Sequence, residues 1–169
     1  MTITLNASTS SGLVVTPDNS GNIVLQYNGV AAPAFSAYAT TSQTITYNSE
    51  TKITLGTEVF DTANCFASSR FTPTVAGYYQ LNGQACLQST SYGLFTAIYK
   101  NGSVYVYGSV NPGLSGAFVR SVVSSIVYLN GTTDYVELYA AGTGGGSGAV
   151  GVNPGPADTW FNGCLLRGA

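Results

Sequence analysis

The chain has 169 residues, of which five are Lys or Arg, seven are Asp or Glu and none is His, for a formal net charge of −2. Charged residues make up 7% and hydrophobic ones 44%, whereas ordinary domains carry about 25% charge. That balance can build the core of one domain plus a short extension. It excludes the basic field that recruits nucleic acid and, without His, any Ser-His-Asp or Cys-His machinery.

Met1 to Ser8 has neither a basic stretch nor a continuous apolar run, so it does not read as a secretory signal. No window reaches the length of a transmembrane helix. Synthesis in a cytoplasm, with no export by that route and no membrane insertion, is expected. Leu13-Val14-Val15-Thr16 and Ile23-Val24-Leu25-Gln26-Tyr27 flank the turn-rich residues 17–22, which predicts a hairpin. A lone hairpin is barely stable in water. Leu13, Val14, Val15, Ile23, Val24 and Leu25 therefore need a partner surface. Residues 1–32 are expected to form an N-terminal extension that serves as an anchor, and residues 33–169 the main domain.

From Pro33 onward no stretch shows a 3.6-residue period, and strand-length runs alternate with Gly, Asn and Pro. Ala34 to Ala39 opens the domain. Thr44 to Tyr47 and Lys52 to Leu55 are short and expected at an edge. Val59 to Asn64 leads into Cys65 to Phe71. In Gly77 to Leu87, residues Tyr79, Leu81, Gly83, Ala85 and Leu87 share one face. Leu94 to Tyr99 turns through Lys100-Asn101-Gly102-Ser103 into Val104 to Tyr107, a hairpin signal. Val119 to Leu129 is a long strand, and Asn130-Gly131-Thr132-Thr133 turns into Asp134 to Ala140. The Gly-rich residues 142–148, continuing to Pro156, are expected to be a surface loop, or else a contact loop in which Gly144, Gly145 and Gly146 meet a partner. Trp160 to Leu166 closes the chain's strand series.

Three of these segments stand in a telling order: Phe71-Thr72-Pro73-Thr74-Val75-Ala76-Gly77-Tyr78-Tyr79, then Tyr128-Leu129-Asn130-Gly131 running into Asp134-Tyr135-Val136-Glu137-Leu138, then Phe161-Asn162-Gly163-Cys164-Leu165-Leu166. Together they resemble the C1q/TNF-like jelly-roll family over residues 34–167. The resemblance implies an all-β, antiparallel β-sandwich jelly roll that assembles as a homotrimer, binds other molecules and performs no chemistry. It also implies that aromatic side chains of the large sheet pack around a threefold axis.

The residue inventory agrees with a non-enzymatic reading. Asp134 and Glu137 are three apart on one run, so they point to opposite faces and cannot act as a glycosidase pair. Asp134 reads as a turn cap, Glu137 as an exposed or interface charge, and Asp61 and Asp158 as isolated. No ladder of Asp and Asn matches a calcium loop, although some C1q-like proteins carry calcium near the trimer apex. No cofactor, metal or catalytic residue is expected. Cys65, Cys86 and Cys164 read as small buried hydrophobes, with one disulfide as the alternative. Tyr105 and Tyr107 alternate onto one strand face and are candidates for ligand or partner contact. C1q-like domains also occur in proteins of bacterial viruses, and a low-charge chain rich in Ser, Thr, Gly and Asn, without a collagen-like stalk, fits that setting. The expectation is a capsid decoration protein, assembled in the host cytoplasm and displayed on the outer virion surface. Its N-terminal segment would hold the major capsid protein or another virion protein. The alternatives are a tail or head fibre tip that binds a host surface glycan, or a free lectin-like module.

Overall fold

The computed structural model describes residues 26–27, 30–88, 93–113, 117–144 and 148–169. The expected anchor residues Leu13, Val14, Val15, Ile23, Val24 and Leu25 lie outside the described residues, as do Gly145 and Gly146. Among the described residues every regular element is a strand. In chain order these are β1 (Gln26–Tyr27), β2 (Val30–Ala31), β3 (Ala34–Tyr38), β4 (Gln43–Thr46), β5 (Thr51–Lys52), β6 (Thr57–Asp61), β7 (Phe66–Ala67), β8 (Arg70–Phe71), β9 (Gly77–Leu87), β10 (Gly93–Lys100), β11 (Ser103–Asn111), β12 (Val119–Leu129), β13 (Val136–Thr143), β14 (Ala149–Val152) and β15 (Trp160–Gly168).

Period-two alternation sets the faces of the long strands. Along β9, Tyr79, Leu81, Gly83 and Ala85 are buried while Tyr78 is exposed, and along β12 Val119, Ser121, Val123, Val127 and Leu129 point inward. Beyond the small β1–β2 pair, two antiparallel sheets form. In one, β6, β3, β15, β9 and β12 lie side by side, and β14 joins the end of β9 and carries β4. In the other, the order is β11, β10, β13, β8, β7, with β5 also on β13. The first long strand of the domain, β3, thus pairs with the last, β15, and the sheets close face to face as a jelly-roll sandwich.

The core between them is aromatic at one end. Phe35 stacks on Phe66 and Phe71 with ring centroids 4.9 and 4.4 Å away, and meets Phe161 edge-on at 5.1 Å. Tyr79 is fully buried, and its hydroxyl donates to the Val75 carbonyl at 2.6 Å. Leu81, Leu87, Leu94, Ile98, Leu129 and Leu138 continue the core. Each such side chain contributes roughly 1.5–3 kcal/mol of burial.

The side of the sandwich where β11 and β12 meet is stitched by side chains. Lys100 Nζ donates to the Tyr128 carbonyl at 2.8 Å, and Tyr105 Oη to the Ile126 carbonyl at 3.5 Å. Ser109 Oγ accepts from Val122 N at 3.2 Å, and Asn111 Nδ2 donates to the Arg120 carbonyl. The Arg120, Ile126 and Tyr128 carbonyls and the Val122 N–H of β12 are thus met by the neighbouring sheet's side chains rather than by another strand.

Several sequence expectations need correction. Residues 149–152 are not loop but strand β14, because they pair with Gln43 to Thr46. Lys52 to Leu55 is strand only to Lys52; Ile53 and Leu55 nonetheless sit in the core from a loop. Asp134 and Tyr135 belong to the turn, and β13 starts at Val136. Cys65 and Cys86 are buried free thiols, but Cys164 is exposed because it falls on the outward side of β15. Glu137 is not an exposed charge: it is buried between Lys52 and Arg70. Asp158 is not isolated, since Arg120 and Asn153 hold it.

Candidate functional site: an uncharged sheet face and its edge

The outward face of the first sheet is built row by row from strand register. Tyr128 pairs with Tyr78, Ile126 with Gln80, Ser124 with Asn82, and Val122 with Gln84. The rows continue onto β15 and β3 as Gln80–Cys164–Ala34, Asn82–Asn162–Ser36 and Gln84–Trp160–Tyr38. None of β3, β9, β12 and β15 carries a carboxylate. Tyr78, Val122, Ile126 and Tyr128 are 42, 50, 52 and 41% open to solvent in the single chain. Phe60, Phe118 and Leu166 are also exposed.

The middle row is polar and internally bonded. Gln80 Nε2 donates to Ser124 Oγ at 2.9 Å and to Asn82 Oδ1 at 3.1 Å. Ser124 Oγ donates to Asn82 Oδ1 at 2.8 Å, and Asn82 Nδ2 donates to Asn162 Oδ1 at 3.2 Å. A shallow depression of about 240 Å³ lies beside this row, between Phe60, Ser36, Asn162 and Cys164. Cations stand only at the face's ends. The Arg167 guanidinium is 5.6 Å from the Tyr78 ring, and the Lys100 ammonium 5.8 Å from the Tyr128 ring.

The adjoining edge is β11, which pairs on one side only, with β10. Val104, Tyr105, Tyr107 and Val110 are exposed on it. The two tyrosines chosen from sequence have different hydroxyl partners. A register shift opposite Ile98 and Tyr99 leaves Tyr105 unpaired in the ladder, and its hydroxyl turns to β12. Tyr107 Oη instead donates to Glu50 Oε1 at 2.9 Å, and its ring meets Phe95 edge-on at 5.5 Å. That bond to Glu50, with burial and the carboxylate's charge, raises the Tyr107 phenol above its ordinary value. The Gly144 carbonyl accepts from Asn48 Nδ2 at 3.4 Å.

The ion pairs are structural in form. Asp134 accepts from Asn101 Nδ2 at 2.7 Å and pairs with Lys100 at 2.9 Å, and these bonds hold its carboxyl below its usual range despite partial burial. Among the described residues no group of three His, Cys, Asp or Glu side chains could hold a metal ion.

No protein-family model matches the chain, and no curated protein matches it at a significant level. Solved structures do match. The globular domain of zebrafish complement 1qA protein superposes with a TM-score of 0.65 at 17% identity, covering 82% of this chain and 99% of its own. This chain has the C1q/TNF-like jelly-roll fold. Murine APRIL matches at 0.63 and 11% identity, over 80% of this chain and 99% of that one. Eiger TNF from S. frugiperda matches at 0.63 and 8% identity, over 82 and 94%. What these chains share with this jelly roll is the backbone arrangement, with few identical side chains. The sequence reading missed Val122, Ile126 and Tyr128 as surface residues. The signal was present: β12 is apolar on both alternating faces, and only one face can be core.

Proposed function

We propose that the chain is a non-enzymatic binding module that assembles as a homotrimer through the outward face of the β6-β3-β15-β9-β12 sheet. One observation carries this reading: a broad sheet face with exposed Tyr78, Val122, Ile126 and Tyr128 and no carboxylate on its four main strands. Large apolar side chains gathered in the open on one sheet face mark interaction sites. The β11 edge beside it is also apolar, so one copy's edge can meet the next copy's face. Such a face-to-edge contact is heterologous, and a threefold rotation between copies closes it as a ring. Light scattering of the full chain is expected to give about three times the 17.4 kDa chain mass. Ile126→Asp should give a folded monomer. A wild-type monomer at micromolar concentration overturns the reading.

The finer proposal is a bacteriophage virion surface component, a capsid decoration protein with the knob outward. It is supported by the sequence resemblance together with the low charge and the composition rich in Ser, Thr, Gly and Asn. Imaging of labelled virions tests it. Label across the shell supports decoration, label at the tail favours a host-attachment fibre tip, and no label on the particle removes the virion reading.

A further inference from the structure

The second sheet carries a feature that trimer formation leaves unused. A cleft of about 460 Å³ opens beside β5, β7 and β8, lined by Lys52, Asn64, Ser68, Arg70 and Thr72 among others. That volume lies in the range of small-ligand sites. Two of the chain's five Lys and Arg residues stand in it. Lys52 Nζ is 2.6 Å and Arg70 Nε 2.8 Å from the same atom, Glu137 Oε1. The other ion pairs among the described residues, Lys100–Asp134 and Arg120–Asp158, are one to one. Here two cations share one buried carboxylate, so one positive charge is left over.

The Arg70 guanidinium is fixed on two sides. Its Nε is bonded to Glu137 and its plane lies over the Tyr135 ring at 3.7 Å. Its two terminal nitrogens have no acceptor among the described residues, and its side chain is 42% exposed. A guanidinium held this way offers a preformed fork to a planar two-oxygen anion.

The backbone around the cleft is strained. Asn64, Ser68 and Ser69 have φ of 52°, 51° and 59°. Ser68 and Ser69 are the two-residue loop between the paired Ala67 and Arg70, a place where Asn-Gly is the favoured sequence. Ser69 has a structural reason: its buried hydroxyl accepts from Leu55 N at 2.8 Å. Ser68 has no such bond and lines the cleft. Strain of this kind gathers at ligand sites. Asp61 accepts from Ala63 N and Phe66 N, at 3.3 and 2.7 Å, and so pins the loop that presents Asn64.

We propose that this cleft binds the carboxylate of an acidic sugar, with Arg70 and Lys52 on the carboxylate and Asn64, Ser68 and Thr72 on ring hydroxyls. A single surplus positive charge matches a monoanion. A phosphate dianion would leave a negative charge facing Glu137. The amide and hydroxyl lining suits a polyol rather than an apolar body. This inference goes beyond the trimer reading and does not depend on it, because the cleft belongs to the other sheet.

The test is an NMR titration of the full chain with D-glucuronate, compared with D-glucose and inorganic phosphate. Glucuronate is expected to shift the resonances of Ser68 and Arg70, with glucose and phosphate weaker by about ten-fold or more, the worth of a charge-assisted bond. Arg70→Gln should weaken glucuronate by a similar factor. Because that change also removes a partner of buried Glu137, Asn64→Asp is the second variant. It adds a carboxylate to the cleft without touching the Glu137 pairs and tolerates the same φ. It should weaken glucuronate about ten-fold with an unchanged melting temperature. No glucuronate shift, equal binding of phosphate or glucose, or an Asn64→Asp variant that binds as the wild type overturns the proposal.

Discussion

A methyl group at residue 77 would run into the Arg167 carbonyl oxygen and stand 2.7 Å from Leu165 Cδ1. The obstacle is backbone from β15, which cannot swing away as a side chain could. Gly77→Val is therefore expected to destabilise by about 3 kcal/mol, read as a shift in the urea midpoint; an unchanged midpoint would contradict the β9–β15 packing. Glu137 makes the complementary electrostatic case. Burial would raise its carboxyl, but the hydrogen bonds and charges of Lys52 and Arg70 outweigh burial and hold it below its ordinary value. A carboxyl lowered by folding stabilises fully above its unfolded value, and that contribution is lost as pH falls through the folded one. Glu137→Gln should cost about 1–3 kcal/mol near pH 7. The gap between variant and wild type should narrow at acid pH, as the pH falls through the lowered folded value and the carboxyl is neutralised. Denaturant midpoints at neutral and acid pH measure it, and a gap independent of pH would show that the charge is not what matters. The sequence could not show this residue's role. Its partners lie 85 and 67 positions away, and only the β5–β13 and β8–β13 pairings bring them together.

At the level of elements, legibility followed turn chemistry. The Lys100–Ser103 hairpin was readable because Asn101 and Gly102 take φ of 52° and 79°, the pair of left-handed values that Asn-Gly favours. The ends of β9 and β12 were readable because Gly77 and Asn130-Gly131 punctuate them. β14 was not, since Ala149-Val150-Gly151-Val152 is shaped by pairing with β4, a contact across more than a hundred residues. The Asn130 turn itself is a compact device. Its Oδ1 accepts from the backbone N–H of Thr132, Thr133 and Asp134 at 3.0, 3.0 and 2.9 Å. Asp134 in turn accepts from Asn130 N at 3.1 Å. Asn130→Ala should cost roughly 1–2 kcal/mol with an unchanged denaturant slope. A wild-type midpoint would mean that the turn is held by its flanking strands alone.

For the whole molecule, among the described residues the hydrophobic core cluster begins at Phe35. Deleting residues 1–30 is therefore expected to leave a soluble domain that unfolds cooperatively within about 5 °C of the full chain. Loss of near-ultraviolet dichroism on truncation would show that the extension completes the fold.

The stitched side of the sandwich bears on how copies of this chain could add to one another. With 7% charge, repulsion between copies is weak, and open strand edges would invite end-on growth into fibrils. The bonds from Lys100, Tyr105, Ser109 and Asn111 occupy the backbone of β12 that an incoming strand would need. At the far margins, β6 is broken by a register shift at Ser36 and Ala37, and β7 is two residues long. Neither offers a long, flat template. Among the described residues, neither the stitched side of β12 nor these two margins serves as a template for strand-by-strand addition.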